Sequence, residues 1–163
     1  MEYDLVKRAD DLAKYNQRFC LSPEQWIGCK VVLEGEWQSV RFQPDQRGNV
    51  PKERGLYAFV LRPAISGIFE LGYLMYLGQT GHGSARTLHD RFGDYLQPSK
   101  VRKRTHIARM MEKWQDYLVF YFIKLKDATN LKALEAGLND ALIPPFVTSD
   151  YSIQIRAAVR AFQ

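Results

Sequence analysis

At 163 residues the chain has the length of one compact domain, and 46% hydrophobic residues with 13% aromatics exclude a largely disordered polypeptide. No run approaches the ~18 apolar residues that cross a bilayer, and the acidic start Met1-Glu2-Tyr3-Asp4 is unlike a secretory leader, so a cytoplasmic protein without membrane contact is expected. The net charge of +5 is matched by one segment: between Pro98 and Lys113 six bases (Lys100, Arg102, Lys103, Arg104, Arg109 and Lys113) face one acid, Glu112. A local basic stripe on a neutral body suits a phosphate-binding surface, although a solvated helix face has the same composition. Cys20 and Cys29 come without a CxxC or histidine cluster, which disfavours zinc and predicts two buried or half-buried thiols.

In chain order, Leu5, Ala9, Leu12 and Tyr15 stand at helical spacing and predict a helix within Asp4 to Phe19. Ser22-Pro23-Glu24-Gln25-Trp26 reads as a short helical turn with Ser22 as N-cap and Pro23 at the first position. Lys30 to Phe42, rich in valine and aromatics and broken by Gly35, predicts a hairpin or two short strands, and Gln43 to Arg54 a loop. Gly55 to Leu61 is a strand candidate. Arg62 to Gly67 reads as a turn or protruding loop, and Ile68 to Leu77 as a second strand. A glycine-rich loop, Gly78 to Gly83, leads into a helix through Arg86, Leu88, Arg91, Phe92 and Tyr95, closed by Pro98. Thr105 to Trp114 is a basic helix with Ile107, Met110, Met111 and Trp114 on one face. Tyr117 to Leu125 is the clearest strand. Ala128 to Leu142 is the clearest helix, striped by Leu131, Leu134, Leu138 and Leu142 and stopped by Pro144-Pro145. A last helix is expected within Tyr151 to Phe162. The order implies an α/β (α+β) fold, a small sheet covered by helices, whose first two strands are antiparallel because their link is too short for a crossover.

The chemistry-bearing residues are two strand tyrosines beside glycines, a helix bearing arginines and a glutamate on the clearest helix. Cutting a phosphodiester needs an activated water, a counter-charge for the phosphate and a polarising cation. A single carboxylate suits Mg2+ (or Mn2+), an arginine can grip a phosphate through two hydrogen bonds, and a tyrosine whose phenol pKa is lowered can assist proton removal. Glu135, at the edge of the apolar stripe, is expected to be partly buried and to want a partner.

Gly55-Leu56-Tyr57, Tyr76-Leu77-Gly78, Leu88-His89-Asp90-Arg91-Phe92 and Leu134-Glu135, in this order and on these element types, resemble the GIY-YIG nuclease family, with leucines in place of both isoleucines. The resemblance spans roughly Gly55 to Val147. It implies a three-stranded antiparallel sheet flanked by helices, with residues 1–50 as an extension packed on the core and 51–163 as the nuclease domain. It implies a metal-dependent DNA endonuclease in which Tyr57 orients or deprotonates the attacking water and Tyr76 hydrogen-bonds beside it. Arg91 would hold the scissile phosphate, Tyr95 would reach the same pocket, and Glu135 would be the protein's ligand to the metal. Arg86 competes with Arg91: it has the family's more usual spacing, and Arg91 the better surroundings. His82 and His89 stand as further donor candidates. The basic stripe would grip the DNA backbone without reading sequence. The extension either decorates the core or makes a homodimer contact. Two departures stand out. Eighteen residues separate Tyr57 from Tyr76, longer than is usual. The asparagine that the family commonly has after the prolines is missing from Pro144-Pro145-Phe146-Val147-Thr148-Ser149-Asp150; Thr148, Ser149, Asp150 or Asn139 could replace it. The alternative is therefore a catalytically weakened nucleic-acid-binding protein on the same fold. A small-molecule enzyme is disfavoured, because Gly78 to Gly83 lacks a P-loop lysine and a dinucleotide fingerprint.

Overall fold

The three apolar, aromatic runs become neighbouring strands. In the computed structural model, which describes residues 5–127 and 129–162, β2 (Gly55–Leu61) lies between β3 (Tyr73–Thr80) and β4 (Leu118–Lys124), antiparallel to both. A fourth strand, β1 (Gln38–Arg41), pairs antiparallel with β4, giving the order β1-β4-β2-β3. The mixed α/β class stands, but the sheet has four strands rather than three. The hairpin considered for Lys30 to Phe42 reduces to β1, since its partner is a distant strand and not its sequence neighbour. The second strand begins at Tyr73 rather than Ile68 and runs through Gly78, so the glycine-rich turn starts later, with Gly81 at φ 95°.

Seven helices occur among the described residues: α1 (Leu5–Ala13), α2 (Pro23–Gly28), α3 (Leu88–Tyr95), α4 (Pro98–Val101), α5 (Thr105–Trp114), α6 (Leu131–Leu142) and α7 (Ile153–Phe162). The Ser22 cap forms as expected, its hydroxyl accepting from Gln25 N at 3.4 Å. Asp4 and Ala128, where two expected helices begin, lie outside the described residues. Helix α1 ends well before Phe19, and Leu5, Leu12 and Tyr15 are exposed. A short helix without a covered face gains little beyond its propensity, which accounts for its length. Helix α6 starts at Leu131 because the Asn130 side chain accepts from Ala133 N and caps it there. The expected loop after Phe42 contains a 3-10 turn, Pro44–Asn49. None of the described helices is long and apolar enough to cross a membrane.

Strand alternation sends Tyr57, Phe59, Tyr76, Phe120 and Phe122 to one face, where they pack with Leu88, Phe92 and Tyr95 of α3 and with Ile107, Met110, Met111 and Trp114 of α5. Leu56 and Ile123 point to the other face, which Leu131, Leu134 and Leu138 of α6 cover. Strand β3 is an edge, and its outward backbone groups need partners. The chain after α6 supplies one: Ile143 takes a left-handed conformation (φ 46°) and the prolines turn the chain back, so that Phe146 N donates to Met75 O at 3.0 Å. Of the cysteines, Cys29 is half-buried as expected, whereas Cys20 is exposed.

Candidate functional site

Register brings the tyrosines together. Tyr57 lies opposite Gly78 across β2 and β3, and Tyr76 opposite Phe59 one step along the same face. The glycine is needed: a Cβ at position 78 would sit 2.7 Å from Tyr57 Oη and 2.9 Å from Tyr76 Cε1. Helix α3 brings the third phenol. It opens with a capping box, the Thr87 hydroxyl accepting from Asp90 N while Asp90 accepts from Thr87 N. Its buried stripe, Leu88, Phe92 and Tyr95, then turns Tyr95 inward. Tyr57 and Tyr95 share a hydrogen bond at 2.8 Å between their hydroxyls.

A guanidinium closes the cluster. Arg104, between α4 and α5, donates from Nη1 to Tyr95 Oη at 2.9 Å and from Nη2 to Tyr76 Oη at 2.8 Å. Its charge lies 5.5 Å and 5.7 Å from the centres of the Tyr76 and Tyr95 rings. Burial works against that charge, but the phenols of Tyr95, Tyr76 and Tyr57 outweigh it and hold Arg104 above arginine's usual pKa. Arg104, assigned from sequence to the exposed basic stripe, thus faces inward.

Glu135 reaches the site from the opposite side of the sheet. Helix α6 covers the other face, but β3 is the edge strand, so a side chain can extend around it. Glu135 Oε1 accepts the outward N–H of Gln79 at 3.0 Å. The residue is 9% exposed. Burial and the charge of Asp150 push its carboxyl up to about 7, against the pull of the Gln79 N–H and of Arg91 and Arg104. Arg91, one turn before Tyr95 on α3, acts electrostatically on both Tyr57 and Glu135, and its Nε is buried without a partner. Five of the expected residues therefore belong to one neighbourhood: Tyr57, Tyr76, Arg91, Tyr95 and Glu135. No family model, curated protein or solved structure matches the chain.

One expectation fails. A lowered phenol was anticipated for a catalytic tyrosine, yet burial, and then the neighbouring Tyr76 and Tyr95, drive Tyr57 well above its ordinary value, with Arg91 only partly opposing. Tyr76 is raised too, chiefly by burial, although Arg104 opposes. Both phenols are therefore protonated near neutrality and serve as hydrogen-bonding groups.

The remaining candidates disperse. Arg86 lies before α3, not on it, and pairs with Asp94. Arg102, Lys103, Arg109 and Lys113 are exposed, Lys113 resting over the Trp114 ring at 5.3 Å. Lys100 pairs with Asp94 at 2.5 Å. The His89 pKa is lowered, mainly by burial and then by Arg47 and Lys52. Of the replacements considered for the missing asparagine, Asp150 is the one that acts on Glu135. Asn139, one turn after Glu135, is fully buried with both amide atoms unpaired by protein groups. His106, missed from sequence, feels both Arg104 and Asp150: its pKa is lowered by burial and Arg104, with Asp150 opposing. It also lines a groove of about 1070 Å3 between residues 16–21, α5 and Pro144-Pro145.

Glu135 is the carboxylate that a cation in this neighbourhood would use. Among the described residues no group of three or more histidine, cysteine, aspartate or glutamate side chains forms a closed metal cage. A carboxylate made reluctant to ionise by burial, and then by the charge of Asp150, would nevertheless be relieved by a hard divalent ion. Magnesium, which retains most of its water, needs only one or two protein carboxylates.

Proposed function

We propose that the chain is a metal-dependent DNA endonuclease of the GIY-YIG type. The observation that carries this reading is the convergence of Tyr57, Tyr76, Tyr95 and Arg104 in one hydrogen-bonded cluster, with Arg91 and the buried Glu135 acting on the same groups. Hydrolysis forms a bond from water oxygen to phosphorus and breaks a phosphorus–oxygen ester bond; the water loses a proton and the leaving oxygen gains one.

In this reading Glu135, whose carboxyl feels the charge of Asp150, would hold Mg2+ or Mn2+, which would supply Lewis-acid stabilisation of the charged phosphoryl group. Arg91 donates to the scissile phosphate through the Nη groups of its part-exposed guanidinium. Tyr57 and Tyr76, protonated, orient water and phosphate oxygens by hydrogen bonds. Tyr95 and Arg104 position those two phenols rather than meeting the substrate. The exposed Arg102, Lys103, Arg109 and Lys113 hold backbone phosphates further along the nucleic acid.

The burial of Tyr57 and Tyr76, at 2% and 3% exposure, favours a second reading, in which the fold binds DNA without cutting it. Incubation with duplex, branched and single-stranded DNA in Mg2+ or Mn2+ separates the two. The first predicts cleavage that Glu135→Ala and Arg91→Ala abolish. The second predicts salt-sensitive binding to the same DNA with no product.

A further inference from the structure

Asp94 precedes Tyr95 on α3, and its side chain meets three cations drawn from three segments. Arg86, in the loop before α3, donates through Nη2 to Asp94 Oδ2; Lys100 of α4 donates to Oδ1 at 2.5 Å; Arg91 Nη1 lies 4.0 Å from Oδ2. The carboxylate is well covered, at 14% exposure, while the three cations remain accessible at 43%, 32% and 47%. An ion-pair network whose purpose is to balance charge would have matched signs. This one holds three like charges around one acid.

The neighbouring charges do not remove the surplus. Asp90 feels Arg86, but its carboxylate is committed to the Thr87 cap. Arg47 adds another cation, its guanidinium packed where a Cβ on Gly93 would stand. Two acids and four bases leave two positive charges in excess. Like charges held this close repel unless an anion completes the arrangement, and guanidinium and ammonium groups kept in place by a shielded carboxylate are already oriented for one. Arg91 belongs to this patch and also acts on Tyr57 and Glu135, so the patch borders the tyrosine cluster.

We propose that Asp94 organises Arg86 and Lys100 into a phosphate-binding subsite for the backbone phosphate next to the one that reacts. The subsite rests on the nucleic-acid reading above and assigns the two competing arginines different phosphates: Arg91 the reacting one, Arg86 its neighbour. Asp94 occupies only some of the donors on each cation, so a tetrahedral anion can accept from the remaining Arg86 N–H groups and from Lys100 together.

The test uses the full chain in chelator, where cutting cannot intervene, with Arg86→Gln, Lys100→Gln and the double variant. Lys14→Gln, an exposed base paired with Asp11 at 2.8 Å, controls for net charge. Affinity for a short DNA duplex is measured against salt. Each phosphate contact contributes about 0.9 to the slope of log K on log salt, and the subsite holds one phosphate, so the double variant loses about 0.9 from the slope, whereas Lys14→Gln leaves it unchanged. In parallel, inorganic phosphate is titrated against the arginine side-chain NMR signals, and those of Arg86 should move first and saturate. A double variant with the parent's slope, or phosphate that leaves the Arg86 signal in place, overturns the subsite even if the chain cuts DNA. Saturable phosphate binding at Arg86 in a chain without DNA affinity keeps the subsite and sinks the nuclease reading instead.

Discussion

Replacing Arg104 with methionine keeps most of the stem's volume and removes the charge. Two hydrogen bonds go, to Tyr95 at 2.9 Å and to Tyr76 at 2.8 Å. The losses differ in kind. Tyr95 retains its bond with Tyr57, but Tyr76, 3% exposed, loses the donor that meets its hydroxyl. A charge-assisted hydrogen bond contributes about 1.5–3 kcal/mol, and a stranded buried polar group costs about 1–3 kcal/mol. Relief of the buried guanidinium's desolvation offsets part of this. The net expectation is a destabilisation of about 2 kcal/mol, or a Tm lower by about 4–8 °C in a chain of this length. Urea unfolding at unchanged m gives the value directly. A double-mutant cycle with Tyr76→Phe should return a coupling of about 1 kcal/mol, because removing the hydroxyl removes what the guanidinium was satisfying. If Arg104→Met falls within about 0.5 kcal/mol of the parent, as for an exposed base, the inward guanidinium and the reasoning built on it are refuted.

Three further outcomes follow from the same geometry. Gly78→Ala forces a methyl against Tyr57 Oη at 2.7 Å; it should cost about 1–3 kcal/mol and lower cleavage about 100-fold, and adding Tyr57→Phe should recover part of the lost stability. The Glu135 carboxyl, raised from 4.5 to about 7, binds its proton more tightly in the native state, so its contribution is full below pH 4.5 and lost as pH rises to about 7; Glu135→Gln should remove that decline, gaining on the order of 2 kcal/mol on the parent above pH 7, and a parent whose stability climbs through this window contradicts the assignment. Mn2+ should raise the Tm of the parent and leave that of Glu135→Gln unchanged, since an ion that binds only the native site stabilises by mass action.

The elements that position the site were legible where a local pattern decides structure. Strands β2 and β4 are uninterrupted apolar and aromatic runs, α5 and α6 carry apolar stripes, and Ser22-Pro23 is a cap by chemistry alone. Strand β1 was not legible as a single strand, because Gln38–Arg41 is fixed by pairing with Leu118–Lys124 rather than by anything nearby. The five expected site residues came from the resemblance, which rests on four motifs in order on the expected element types rather than on any one residue. Arg104 could not: within a run of similar bases, only the break between α4 and α5 singles it out by turning it inward. The phenol pKa was misjudged for a related reason. Proximity to cations was anticipated, but burial by Phe120, Tyr76 and Tyr95 outweighs it. Asp94, one of two acids on α3, has no sequence mark that anticipates three cations converging on it.

On the proposed reading, Glu135 and the tyrosine–arginine cluster hydrolyse a DNA backbone with the help of a divalent cation. The most direct test of that reading is the conversion of supercoiled plasmid to nicked and linear forms by the parent chain and by Glu135→Gln, each in Mg2+ and in chelator. The account predicts conversion by the parent in Mg2+ alone and none by the variant. Equal conversion by the variant, or an inert parent that binds the plasmid, would contradict it.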